Sequence, residues 1–144
     1  MTPVLTSLIA VTGTLLGAVL GYLFQRRNTD RAERRAAVLT YANAATDVIR
    51  SQQDWWHRRN EEAEGAEHRA ARLEAHRLRS AARQAINGLN ILVPDNALLD
   101  QAETTFTAAS DVHRATSTAD LDNRSAAARQ SIRAFIALAA TKIR

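Results

Sequence analysis

The chain has 144 residues, a formal net charge of +4 and no cysteine. This length suits one modest domain, and the lack of cysteine excludes disulfides, thiolate catalysis and cysteine-ligated metal sites. Aromatic residues make up only 5% of the chain and just two prolines are present, a composition typical of long helices with alanine-lined contacts.

Residues 4–24 form an apolar run of 21 residues without a charged side chain. A helix of that length spans about 30 Å, the thickness of the hydrocarbon core of a bilayer. A cleaved signal peptide would need a basic start, a shorter apolar stretch and a small-residue cleavage site. The run lacks all three, so residues 1–25 are predicted to be an uncleaved transmembrane signal-anchor.

The charges beside this run predict its orientation. No basic side chain precedes it, whereas five arginines follow it: Arg26, Arg27, Arg31, Arg34 and Arg35. The positive-inside rule therefore places the N-terminus outside the plasma membrane and the rest of the chain in the cytoplasm. The same arginines are suited to contact anionic lipid headgroups, although fixing the topology is a sufficient role for them.

Three glycines recur at every fourth position of the run: Gly13, Gly17 and Gly21. This spacing places them on one stripe of a helix, where a second helix can approach closely. The pattern predicts a helix-packing face, with another copy of the chain or a different membrane protein as the partner.

The remainder of the chain, residues 26–144, is predicted to be a cytoplasmic helical domain. Proline and glycine are absent between Gln25 and Glu64, so the first helix is expected to continue to about residue 60. Further helices are expected over residues 62–91, after Pro94 and after Ser117. The prediction is an all-α antiparallel bundle, and its heptad seams leave an intermolecular coiled coil as an alternative.

Apolar periodicity identifies the faces expected to be buried. On the first helix they are Leu39, Ala42, Thr46, Ile49, Gln53 and Trp56. On the second they are Ala71, Ala75, Leu78, Ala82, Ala85, Leu89 and Leu92. On the last they are Leu121, Ser125, Ala128, Ile132, Phe135, Ala139 and Ile143. Asp95 or Asn96 is expected to cap the third helix, and Ser117 with Asp120 the last.

The segment Trp-Trp-His-Arg-Arg at residues 55–59 is the densest chemical feature outside the apolar run. Trp56 falls on the buried stripe and is expected in the core. Trp55, Arg58 and Arg59 are the candidates for contact with a partner, and aromatic side chains beside arginine also suit nucleic acid. The near balance of 19 basic and 15 acidic residues disfavours nucleic acid as that partner.

Catalytic, metal and cofactor sites are not predicted. The histidines at positions 57, 68, 76 and 113 lack the spacings of helix-borne metal ligands, and no serine has an evident base. The chain is therefore predicted to be a non-enzyme without a cofactor or a small-molecule substrate.

Two N-terminal segments, SLIAVTGTLLG at residues 7–17 and QRRNTDRAERR at residues 25–35, are followed by the Trp-Trp-His-Arg-Arg patch at residues 55–59 and by ILVPD at residues 91–95. In this order of features the sequence resembles the KilB-like small membrane proteins of actinobacteria. The resemblance implies an accessory of conjugative plasmid spread in mycelial bacteria, and the family has no catalytic motif to carry over. The resulting hypothesis is a membrane-anchored interaction protein; the alternatives are a membrane-tethered nucleic-acid-binding protein and a holin-like membrane protein.

Overall fold

The computed structural model describes the backbone of residues 2–61 and 64–143, and the side chains of residues 18–61 and 64–143. Within these ranges all regular elements are helical. They are α1 (Thr2–Glu61), α2 (Ala66–Leu92), α3 (Asn96–Ser110), a 3₁₀ turn (Val112–Arg114) and α4 (Thr118–Lys142). The predicted all-helical fold is confirmed, and α1 ends within two residues of its expected end.

The chain divides into two units, Met1–Glu33 and Arg34–Arg144. The first unit is the N-terminal part of α1, whose side chains are exposed from residue 18 onwards. Among the residues that the structure describes, no helix is long and apolar enough to cross a membrane. Most of the run at residues 4–24 lies outside the described side chains, and its role as an anchor remains a prediction.

The second unit is a bundle in which α1 and α4 are antiparallel. Tyr41 on α1 contacts Phe135 on α4 with a ring-centroid distance of 4.9 Å. Three turns further along α1, Gln53 Nε2 donates to Ser125 Oγ at 2.9 Å. Contacts that move up α1 therefore move down α4, as the predicted antiparallel bundle requires.

The core of the bundle is rich in small side chains. Ten of the 24 buried apolar residues among those described are alanines, which allow helices to approach closely. The largest fully buried side chains include Tyr41, Phe135, Ile49, Leu89 and Leu98. Because large core residues are few, each contributes a considerable share of the buried apolar surface.

Two predicted helix caps are present. Asp95 accepts a hydrogen bond from the Leu98 backbone N–H at 3.0 Å and begins α3. At the start of α4, Ser117 Oγ accepts from the Asp120 N–H at 3.1 Å. The Asp120 carboxylate in turn accepts from the Thr116 N–H at 2.9 Å, so two backbone donors near this terminus are satisfied reciprocally.

The predicted buried stripes are confirmed on α4 and largely on α2. All seven α4 positions are buried. On α2, four of the predicted positions are buried and the other three are half-buried. One further α2 residue, Ile86, is buried although it was not among the predicted positions.

The predicted stripe of α1 is wrong at Leu39, which is 57% exposed. Of the other predicted positions, Ala42, Ile49 and Trp56 are buried, and Thr46 and Gln53 are half-buried. The buried face of α1 extends to residues that were not predicted: Val38, Tyr41, Ala45, Val48, Ser51 and Gln52. Tyr41 determines this face because its ring fills the space beside Phe135, whereas the sequence pattern gave more weight to Leu39.

Candidate functional site

The predicted helix-packing glycines lie largely outside the residues whose side chains are described. Gly13 and Gly17 belong to that part of the chain. Gly21 is described and exposed, and a Cβ added there would meet no described atom within 4 Å. The surface at Gly21 is therefore open to a neighbouring helix.

The five arginines after the apolar run are all exposed on α1. Arg35 belongs to the bundle unit, where it borders a groove of about 320 Å³ between α1 and α4. The apolar part of that groove is formed by Val38, Leu39, Ile136, Ala139, Ala140 and Ile143. The groove explains the exposure of Leu39, which lies at its edge rather than in the core.

The two adjacent tryptophans have different environments. Trp56 is 8% exposed, and its Nε1–H donates to the Ala115 carbonyl at 2.7 Å. This bond ties the end of α1 to the residue after the 3₁₀ turn, and the prediction that Trp56 is a core residue is confirmed. Trp55 is half-buried on the next face of the helix.

Trp55 lies among three histidines that are distant in sequence. Its ring stacks on His113 with a centroid distance of 4.4 Å and an interplanar angle of 16°. His76 and His68 lie on α2 with ring centroids 6.1 Å and 6.5 Å from the Trp55 ring. We refer to Trp55, His68, His76 and His113 as the Trp55 cluster; it joins α1, α2 and the 3₁₀ turn.

Each histidine of the cluster is in a distinct hydrogen-bonding state. His113 Nδ1 lies 2.8 Å from the Ser110 carbonyl, to which it donates because a carbonyl can only accept. His76 Nδ1 lies 2.7 Å from Arg79 Nη2 and must accept, since a guanidinium carries only donors. Among the described residues His68 Nδ1 is buried without a partner.

Burial lowers the pKa of His113 below its ordinary value, and the nearby Arg79 and Arg114 guanidiniums act in the same direction. The hydrogen bond to Ser110 and the charge of Asp111 oppose this effect. The neutral imidazole is thus the form that best suits the folded structure at this position.

The geometry of the cluster does not suit a metal ion. His68 and His76 are eight residues apart on one helix, about 12 Å along its axis, and metal–nitrogen bonds are only about 2 Å long. Within the described part of the chain, no group of three metal-ligating side chains is present.

The arginines predicted to contact a partner differ in their surroundings. Arg58 is engaged by three carboxylates, with nitrogen–oxygen distances of 2.7 Å to Glu67, 3.2 Å to Glu61 and 3.7 Å to Asp54. Arg59 is half-buried. Arg58 is thus paired with carboxylates, and His113 covers one face of Trp55. Contact of Trp55, Arg58 and Arg59 with a partner stays a prediction.

Sequence reasoning missed the histidines of the Trp55 cluster. Their positions follow neither a shared motif nor a single helix face, because His113 comes from the 3₁₀ turn. The eight-residue spacing of His68 and His76 was the one visible signal, since it places both on the same side of α2.

Comparison with known proteins assigns the family. A family model described as KilB plasmid transfer protein matches residues 35–143. The chain belongs to the KilB family. A curated relative, Protein KilB of Streptomyces lividans, is 35% identical over 96 residues, which cover 62% of this chain and 65% of the relative. The match thus spans slightly less than two thirds of the relative's length, and no solved structure matches the chain.

The family match and the bundle unit have nearly the same boundaries in the sequence. The matched residues 35–143 correspond closely to the bundle unit Arg34–Arg144. The family model therefore covers the helical bundle of this chain.

Proposed function

We propose that this KilB-family chain is a membrane-anchored helical accessory of plasmid transfer, in which the bundle binds a partner and carries out no catalysis. The observation that supports it is the match of residues 35–143 to a family described as a plasmid transfer protein. Since those residues form the bundle unit, the role in transfer is assigned to the bundle.

A binding role is supported by the surface of the bundle. Leu73 is 71% exposed and Ile91 is 81% exposed. The groove between α1 and α4 adds the exposed Leu39 and Ile136. Leu39 and Ile136 line the same groove, and exposed apolar side chains that lie close together in this way are typical of contact sites for other proteins.

The anchor is proposed from residues 4–24, which are uncharged, and from the arginines that follow them. In this proposal the N-terminus is outside and the bundle is cytoplasmic. An arginine near the centre of a membrane helix costs about 2.5–3.5 kcal/mol on insertion scales. Leu16→Arg should therefore shift the protein from the membrane to the soluble fraction, whereas Leu39→Arg, in the bundle unit, should leave it in the membrane.

The orientation has its own test. Reporter domains that are active on only one side of the membrane should report the N-terminus outside and the C-terminus inside. The opposite pattern, or fractionation of the Leu16→Arg protein with the membrane, contradicts the proposed anchor while leaving the family assignment intact.

The glycine stripe is proposed to mediate association within the membrane. Gly17→Leu places a large side chain on the stripe and should reduce self-association in a membrane two-hybrid assay. Ala18→Leu enlarges a neighbouring residue that lies off the stripe and serves as the matched control. Equal association of the two variants would remove the stripe from the proposal.

The role in transfer is tested by deleting the gene from a plasmid that carries it and counting recipients that receive the plasmid. We expect fewer recipients after deletion and restoration by the intact gene. Complementation with Leu39→Arg plus Ile136→Arg, which places charge in the groove at exposed positions, should restore fewer recipients than the exposed control Arg133→Gln. Undiminished transfer after deletion refutes the proposed function.

A further inference from the structure

The Trp55 cluster contains polar atoms that the fold buries without satisfying them. Among the described residues, Trp55 Nε1 and His68 Nδ1 are both buried and lack a hydrogen-bond partner. An indole nitrogen can only donate, and a neutral imidazole nitrogen can accept. The cluster is thus held by ring packing rather than by a complete hydrogen-bond network.

His113 opposes protonation for structural reasons. Its ring is stacked face-on against Trp55 at 4.4 Å, and its Nδ1–H already donates to the Ser110 carbonyl. A positive charge on this half-buried ring would lie beside the Arg79 and Arg114 guanidiniums. His68 and His76 complete the ring packing around Trp55, at centroid distances of 6.5 Å and 6.1 Å.

The charged groups around the cluster give little compensation for a new positive charge. On the 3₁₀ side, Asp111 favours the charged form of His113, but its carboxylate is shared with Arg114 at 3.4 Å. On α1, the nearby Arg58 already engages Asp54, Glu61 and Glu67. On α2, Arg79 adds a further positive charge.

We propose that the Trp55 cluster is a pH-sensitive contact that releases the 3₁₀ turn and the N-terminal half of α2 from α1 when His113 is protonated. The contact is closed near neutral pH, where the His113 ring is stacked on Trp55. In mild acid the protonated His113 ring favours water over the Trp55 face, the 3₁₀ turn leaves Trp55, and the adjoining end of α2 separates from α1. The C-terminal half of α2, which carries the buried Ile86 and Leu89, stays packed.

The direction of the effect follows from linkage. The pKa of His113 is lowered in the folded chain, so the unfolded or released state binds protons more readily than the folded state. The contribution of His113 to the stability of the contact is fully present above the ordinary histidine pKa of about 6.5. This contribution decreases as the pH falls from there towards the lowered pKa of His113 in the folded chain.

The test is hydrogen–deuterium exchange of the full-length protein in a mild nonionic detergent, at about one pH unit above and one below the ordinary histidine pKa of about 6.5. Exchange times are corrected for the intrinsic pH dependence of the amide. We expect exchange in residues 66–80 and 111–116 to become several-fold faster in acid, with little change in residues 82–92. Equal acceleration of both parts of α2, or none in residues 66–80, would overturn the proposal.

Variants assign the effect to the histidines. Replacing His68, His76 and His113 together by glutamine should abolish the difference between the two pH values. His57→Gln is the matched control, because His57 is exposed and contacts Trp56 rather than Trp55; its pH response should equal that of the unmodified chain. A triple variant that keeps the full response contradicts the proposal.

A second measurement covers the case in which the triple variant fails to fold. In the folded unmodified chain, histidine ring NMR should show a pKa for His113 below the ordinary histidine value of about 6.5, and an upfield shift of the His113 ring protons from stacking on Trp55. A His113 pKa at or above that ordinary value would refute the contact as a pH-sensitive device.

Discussion

Two aromatic residues of α1, Tyr41 and Trp55, hold the bundle together in different ways. Tyr41 is fully buried, its hydroxyl donates to the Ala102 carbonyl at 2.5 Å, and its ring meets Phe135 edge-on at an interplanar angle of 81°. Burial raises the pKa of Tyr41, and the charge of Glu103 adds to this. The hydroxyl therefore stays protonated and continues to donate.

Trp55 makes the opposite kind of contact. It is half-buried, its Nε1 is without a described partner, and its ring is stacked on a titratable side chain. The same helix therefore has a section around Tyr41 whose polar atoms are hydrogen-bonded, and a section around Trp55 whose packing depends on protonation. We expect the Tyr41 section to determine the stability of the bundle and the Trp55 section its response to conditions.

The largest expected effect concerns Phe135, the partner of Tyr41. Phe135→Ala removes a fully buried ring from a core with few large side chains and should lower the free energy of unfolding by about 3–5 kcal/mol. Urea unfolding of the full-length protein in detergent, followed by circular dichroism, measures it. The neighbouring Ile136→Ala lies in the exposed groove and is expected to cost much less. Similar losses in the two variants would contradict the importance of the Tyr41 section.

The sequence was sufficient to predict the parts of the fold that depend on local patterns. The α4 stripe repeats regularly after a side-chain cap at Ser117, and all its predicted positions are buried. Asp95 caps α3 for the same local reason. Helical period and capping chemistry depend on residues a few positions apart, and the sequence displays them directly.

The rest depends on contacts between residues that are distant along the chain. Leu39 was expected in the core because it is apolar, yet Tyr41 and the fully buried Gln52 occupy that face instead. The Trp55 cluster combines α1, α2 and the 3₁₀ turn, and no local pattern predicts that combination. Tertiary packing thus overrode propensity in α1 and created the candidate pH-sensitive contact.

The second prediction concerns Gln52, which lies on α1 between the two sections. Its side chain is fully buried, and neither amide atom has a partner among the described residues. Gln52→Leu keeps a similar volume and removes the cost of burying these atoms, so it should raise the free energy of unfolding by about 1–3 kcal/mol. The same urea titration measures the gain.

The adjacent Gln53 serves as a matched control, because its substitution by leucine is not expected to raise the free energy of unfolding. Its Nε2 donates to Ser125 Oγ at 2.9 Å, so Gln53→Leu loses a hydrogen bond and leaves the buried Ser125 hydroxyl without that donor. We expect no gain, or a loss of about 1 kcal/mol. A gain in Gln53→Leu equal to that of Gln52→Leu would show that general hydrophobicity, and not the unsatisfied amide, explains the result.

The third prediction isolates the hydroxyl of Tyr41. Tyr41→Phe keeps the ring against Phe135 but removes the bond to Ala102, and should lower the free energy of unfolding by about 0.5–1.5 kcal/mol. Tyr22→Phe alters an exposed tyrosine and should change nothing measurable. If Tyr41→Phe leaves the free energy of unfolding unchanged, ring packing alone stabilises this section.

The smallest expected effect lies on the surface beside Tyr41. Arg83 pairs with Glu103 at 2.5 Å and covers the Phe106 ring at 4.1 Å, with its side chain 45% exposed. Arg77 pairs with Glu74 at 2.6 Å and is 67% exposed. Exposed ion pairs contribute about 0.2–1 kcal/mol, and a cation over an exposed ring about 0.5–1 kcal/mol.

Arg83→Gln should therefore cost more than Arg77→Gln, by about 0.5 kcal/mol. Salt separates the two contributions, because it screens the exposed pairs and leaves much of the ring packing. Raising the salt concentration should reduce the cost of both substitutions while preserving their difference. If the difference vanishes in high salt, Arg83 stabilises the fold only through its ion pair with Glu103. The stabilising polar contacts of the Tyr41 section would then extend no further than the buried Tyr41 hydroxyl.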